Sequence, residues 1–387
     1  MSQPEAAAPL PLRTIAREWG RIGCIGFGGP PAHIALLRQL CVERRGWIEA
    51  REFEDAIAAC NLLPGPASTQ LAIFCAWRLR GRPGALVGGA SFIIPGLILI
   101  LALAALFLEG SPPTWVRGAG AGAGAAVAAV AVQAGSSLIP DSWRRTPSHP
   151  RWALYGLAGG VAAATLGPRL VLVLLACGAV ELLLSRSRFG DAPAAAVIPL
   201  PLLAASVATG GLLSLAWVAI KVGALSYGGG FVIIPLMQAD AVNHYHWMTS
   251  GQFLNAVALG QVTPGPVVQT VAVVGYAAAG IGGGILASLI AFSPSFGFIL
   301  LGAGRFDQLR HDRNAKAFLN GAGPAAIGAI LGTAIPLVQA LGEQWQYLVL
   351  AGAVVLLFVV RRGVVLTLLA AGAAGVVFAL AGAALPR

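Results

Sequence analysis

The chain has 387 residues, of which 57% are hydrophobic and only 10% charged, with a mean hydropathy of +0.79. A soluble domain carries about 25% charged residues, so this composition excludes one and indicates an all-α polytopic membrane protein. The net charge of +10 does not point to nucleic acid, because the basic residues sit in short loops between apolar segments, where membrane orientation places them.

The N-terminal MSQPEAAAPLPLRTIAREWGR has neither a continuous apolar core nor an A-x-A site, so no cleaved signal peptide is expected. Arg13, Arg17 and Arg21 then precede GCIGFGGPPAHIALL, and a basic loop at 38–51 follows it. Next comes EFEDAIAACNLLPGPASTQ, ending at basic RLRGR. Proline removes a backbone donor, and a freed carbonyl in lipid has no water to bond, so a PGP break survives only where protein or a water-filled cavity takes over. All these basic flanks favour one face, so each broken segment is expected to enter and return as a re-entrant hairpin folded at its Gly-Pro centre. Full spans then number about nine by the length rule. They are expected near 83–107, 118–138, 152–167, 169–185, 196–216, 283–301, 318–341, 345–360 and 363–385. The alternative, with every broken segment crossing, has about thirteen. The cysteines Cys24, Cys41, Cys60, Cys75 and Cys177 show no CxxC spacing and are expected to pack rather than bind metal or pair.

A shift of 200 positions aligns residues 21–70 with 221–270 without a gap. Trp47, Phe53 and the whole Pro64-Gly65-Pro66 triplet recur as Trp247, Phe253 and Pro264-Gly265-Pro266, which shared composition does not explain. The loops around 38–51 and 78–82 are basic while their counterparts have no Lys or Arg, and one loop later 305–316 is basic while its partner EGSPPTWVR is not. By the positive-inside rule the two copies have inverted topology. The expected division is 1–195 for the first copy, 196–216 for a topology-inverting linker helix and 217–387 for the second, with the N-terminus cytoplasmic.

Inverted copies with matched broken helices have the pattern of a secondary transporter, with its site at the breaks. The candidate binding residues are Gly28, Gly29 and Pro30, with Gly228, Gly229 and Gly230 opposite, and the two PGP triplets. Asn61 and Gln261 stand just before the breaks. Ser68, Thr69, Gln70, Gln269 and Thr270 follow them as neutral donors, at half-helix starts that favour anions. Lys221 stands almost alone in apolar surroundings and is expected to pair with a substrate anion, interface snorkelling being the alternative. Arg21, His33 and Asp55 are candidates for charge or proton relay, against surface, packing and loop roles. His244 and His246 in NHYHW lack the companions of a metal site, and no cofactor is expected.

GFGGP, KVGALSYGGGFVIIPLMQ, EFEDAIAACNLLPGP and FLNAVALGQVTPGP together resemble the signatures of the chromate ion transporter family in its long, two-domain form. The resemblance implies export of chromate from the bacterial cytoplasm through the inner membrane, with sulfate as a related or competing anion. It names the lipid bilayer as solvent, no cofactor and no nucleic acid, and leaves a homodimer open. Asn61 and Cys60 depart from the glutamine and alanine usual in the family.

Overall fold

The first PGP segment folds back beside itself. The computed structural model describes residues 10–61, 63–108, 112–166, 169–189, 211–226, 233–303 and 312–386, which are helical with no strand among them. The first helix, α1 (Leu12–Ile25), buries Ile15, Trp19 and Ile22 at helical spacing and stops at Gly26. Its 14 residues rise only about 21 Å, short of the roughly 30 Å hydrocarbon core. After Gly28 and Gly29, both at positive φ, α2 (Pro30–Arg38) begins on two prolines and runs into a wide π-type turn, Gln39–Arg44. Then α3 (Ala50–Cys60) leads into the first PGP, and α4 (Ala67–Leu108) bends back sharply at Arg80–Gly81. Gly84 and Gly88 bring the returning limb hard against Ala76. An ion pair between Arg78 and Glu52 joins the end of the first limb of α4 to the start of α3. Arg80 Nη1 donates to Leu10 O at 3.2 Å. The PGP segment therefore leaves by the end at which it entered, as a hairpin.

The remaining helices of the first copy are α5 (Thr114–Arg145), α6 (His149–Thr165) and α7 (Leu170–Phe189). The pattern then repeats. Helix α8 (Leu212–Leu225) corresponds to α1, α9 (Ile233–Gln238) with its π-type turn Ala239–His244 to α2, and α10 (Ser250–Val262) to α3. After the turn Val267–Gln269, α11 (Thr270–Gly302) corresponds to α4. The second copy ends with α12 (Arg313–Gly332), α13 (Ala334–Gln339), α14 (Gln344–Val354, continued by a wide turn to Val359) and α15 (Val364–Leu380). Among the described residues, four apolar stretches are long enough to cross a membrane: Ala67–Leu108, Thr114–Arg145, Val267–Gly302 and Arg313–Gln339. The expected spans coincide with described helices except 196–216. Residues 196–210 lie outside the described residues, and 212–216 are the opening of α8.

The same backbone irregularities recur in both copies. The Trp47 and Trp247 amides close the two wide turns on Cys41 O and Ala241 O, at 2.7 and 2.8 Å. The bends of α4 and α11 fall at Gly81 (φ 59°) and Gly280 (φ 63°). These last two are 199 positions apart, not 200, so the gap-free alignment is corrected: it holds through PGP, and the second copy is one residue shorter beyond. Gln70 then corresponds to Gln269, and Gly96 to Ser295. At another matched pair, Gly46 (φ 57°) faces His246 (φ 53°), the same left-handed conformation without glycine's freedom. His246→Gly should stabilise the protein by about 1 kcal/mol, seen as a later thermal melt in detergent.

The copies interlock through glycine. Helix α12 packs on α6 and α7 of the first copy, and α5 on α14 and α15 of the second. Gly156 and Gly160 of α6 meet Gly328 and Gly332 of α12 backbone to backbone, and Gly118 and Gly122 of α5 meet Gly375 in the same way. Lipid supplies no hydrophobic drive between helices, so close van der Waals approach at small residues does this work. At the centre α4 lies against α11, with α1 on α4 and α8 on α11.

Candidate functional site

Each PGP break is walled by the opposite copy. At the first, Gly65 takes φ 117° between its prolines, and the Thr69 and Gln70 amides both reach back to Pro66 O at 3.0 Å. Gln70 Nε2 donates to Pro64 O at 2.7 Å. A side chain on Gly65 would begin 3.3 Å from both Gly223 O and Ser295 Oγ, which belong to α8 and α11. At the second break Gly265 takes φ 97°, and its amide donates to Gly26 O at 3.0 Å. Pro264 O lies against Gly96 of α4, and Gln269 Nε2 donates to Ile93 O at 2.6 Å. Gly29 faces Val267. Gly228, Gly229 and Gly230 lie outside the described residues.

The expected donors divide by what they already hold. His33 is buried, edge-on to Phe92; its Nε2 donates to Gly26 O at 2.9 Å, and Nδ1 meets Ser68 Oγ at 3.2 Å. Both nitrogens are used, so His33 fixes the glycine turn and engages Ser68. Thr270 donates to Val267 O at 2.8 Å, inside its own turn. By contrast Thr69 Oγ1, Gln70 Oε1, Gln261 Nε2 and Gln269 Oε1 are buried without a hydrogen-bond partner among the described residues. Ser226 Oγ and Ser295 Oγ are in the same condition, and the sequence reading missed both. Ser295 follows Pro294, the counterpart of Pro95-Gly96, and the one-residue change of register would have exposed it. An unpaired buried polar group costs about 1–3 kcal/mol, so several around one pair of breaks mark a place where a polar ligand belongs.

The charged candidates separate. Lys221 is buried and donates to Asp240 Oδ2 at 2.7 Å, with the Trp217 ring 6.0 Å away. The expectation of a lysine awaiting an anion is corrected: its charge is held by Asp240, brought within reach by the wide turn after α9. Arg21, its counterpart, is exposed, and the first copy instead buries Glu18 between Arg17 (3.0 Å) and Arg45 (3.4 Å). Asp55 is half-buried on α3, and Glu54 rather than Asp55 faces the neighbouring cavity.

That cavity, about 750 Å³, is lined by Asn61, Gly65 and Ala67 of the first break and by Arg145, Lys316 and Asn320 across from it. It separates α3 from α12. The matching position in the other copy is narrower: α10 packs along α5, with Asn255 against Gly120 and Leu254 against Gly124, leaving about 280 Å³ near Arg117 and Gln346 beside a pocket of about 630 Å³ at Thr249 and Ser250. Gln261 and the second PGP are buried, whereas Asn61 is exposed.

Paired broken helices, buried polar atoms without partners and a cavity reaching one break define a membrane transport protein. The chromate transporter family model matches residues 13–182 and 213–376, one copy after the other. A chromate transport protein of Cupriavidus metallidurans is 30% identical over 340 residues, covering 85% of this chain and 83% of that one. A chromate transport protein of Pseudomonas aeruginosa is 30% identical over 394 residues, covering 95% and 92%. An uncharacterised transporter of Methanocaldococcus jannaschii is 25% identical over 317 residues, covering 78% of each. No solved structure matches. The chain belongs to the chromate transporter family.

Proposed function

We propose that this protein exports chromate from the bacterial cytoplasm across the inner membrane, driven by the membrane potential, a proton gradient or both, and so confers chromate resistance. The observation that carries the reading is the cavity that reaches Asn61 and Gly65 past Arg145 and Lys316. Its wall includes Glu54, which pairs with Arg38 at 3.3 Å, so it opens on the face that carries the basic loops. The positive-inside rule gives that face to the cytoplasm, and Arg80, at the bend of α4, holds Leu10 beside it. Two oppositely oriented copies, with α3 standing off α12 while α10 packs along α5, fit a transporter loaded from the inside.

Direction follows from charge. The membrane potential acts at about 2.3 kcal/mol per charge per 100 mV, so a dianion leaving a negative interior gains about 4.6 kcal/mol. Export then requires no nucleotide. Reconstitution in proteoliposomes with imposed potential and pH gradients tests this. Chromate flux should run toward the positive side, saturate and be inhibited by sulfate. Net accumulation of either anion on the negative side would make the protein an importer, and flux without saturation would make it a channel.

A further inference from the structure

We propose that Ser295 is a substrate-binding residue: its hydroxyl and the start of the α4 half-helix together receive a tetrahedral oxyanion at the first break. The inference rests on the transport reading above and adds the side chain that selects the ligand. Serine inside a helix ordinarily turns its hydroxyl onto a carbonyl of the preceding turn. Ser293, two residues earlier in α11, does so, donating to Ile290 O at 2.7 Å, the carbonyl whose usual amide partner is lost at Pro294. Ser295 does not. It is fully buried, its Oγ has no partner among the described residues, and it stands 3.3 Å from the point where a side chain on Gly65 would begin.

Gly65 lies in the wall of the 750 Å³ cavity, and Ser295 lies behind it, its hydroxyl 3.3 Å from the point where a Gly65 side chain would begin. Immediately after come Ala67 and Ser68, first residues of α4, where helix amides lack intrahelical partners and the dipole favours negative charge. Thr69, in the same turn, holds a second buried hydroxyl without a partner among the described residues. Gln70 Oε1 is a buried acceptor there without a partner among the described residues, its amide fixed by Pro64 O. The donors at this break are neutral, since Lys221 is engaged by Asp240. At the second break Gly96 occupies the corresponding position, against Gln269 and Pro264, and supplies no hydroxyl. The two breaks are thus chemically unequal, and the first is the anion site.

Ser295→Ala and Ser295→Gly, the latter copying Gly96, should each raise KM for chromate about tenfold or more in proteoliposomes. Ser293→Ala is the control and should leave KM unchanged. A merely structural serine predicts the reverse pattern, because deleting an unpartnered buried hydroxyl leaves the protein equally or more stable with KM unmoved. Unchanged KM in both Ser295 variants, with normal melts, would overturn the assignment while leaving the transport reading in place. Should wild-type protein move no chromate, the thermal shift induced by sulfate in detergent decides separately. A shift present in wild type and diminished in Ser295→Ala supports the site, and an equal shift in both removes it.

Discussion

Lys221→Ala should abolish transport and sharply lower the melting temperature, and Lys221→Met with Asp240→Leu should recover most of both. The Lys221 and Asp240 side chains are both buried and meet at 2.7 Å. Removing one member of such a pair strands the other charge at a cost of about 3–5 kcal/mol, a large part of the roughly 5–15 kcal/mol that holds a domain folded. Replacing both by apolar groups of similar volume removes the stranded charge, and such replacements are often neutral or stabilising. The first copy already carries Leu40 where the second has Asp240, so leucine suits this position of the fold. The single and double variants are compared by melt in detergent and by chromate flux in proteoliposomes. A double variant that melts normally yet carries no chromate would return Lys221 to the substrate site.

That pairing shows where sequence reading ran out. Lys221 looked isolated because its neighbours in the chain are apolar, but Asp240 lies beyond the glycine break and reaches it only through the wide turn at 239–244. Ser68 looked available for the same reason, until His33, 35 residues earlier, was found against it. Local pattern did carry the rest. The PGP triplets announced helix ends, because proline and glycine act on their own turn. The clusters Arg38–Arg51 and Arg78–Arg82 implied a segment that returns to its starting face, and the Arg78–Glu52 ion pair closes that hairpin. Ser295 fell between the two cases. Its place was readable from Pro95-Gly96, but only after a one-residue change of register that the gap-free alignment hid.

The copies also differ in what their breaks can hold, and the difference gathers on one glycine. Gly65→Ala should cut chromate flux about 100-fold, the scale of a misplaced reacting or binding group, while the protein still folds. At φ 117° an L side chain is strained. Its first carbon would also stand 2.7 Å from Gln70 Nε2, displacing the amide that holds Pro64 O, and would fill the approach to Ser295. Strain and obstruction can be told apart by Gly46→Ala. Gly46 has φ 57° and nothing within 4 Å of an added carbon, so alanine there costs about 1–2 kcal/mol of backbone strain and blocks nothing. Gly46→Ala should therefore melt earlier and transport normally, whereas Gly65→Ala should lose flux out of proportion to its melt. Equal flux in the two variants at matched stability would mean that the first break is a hinge of the scaffold, and that the anion passes elsewhere.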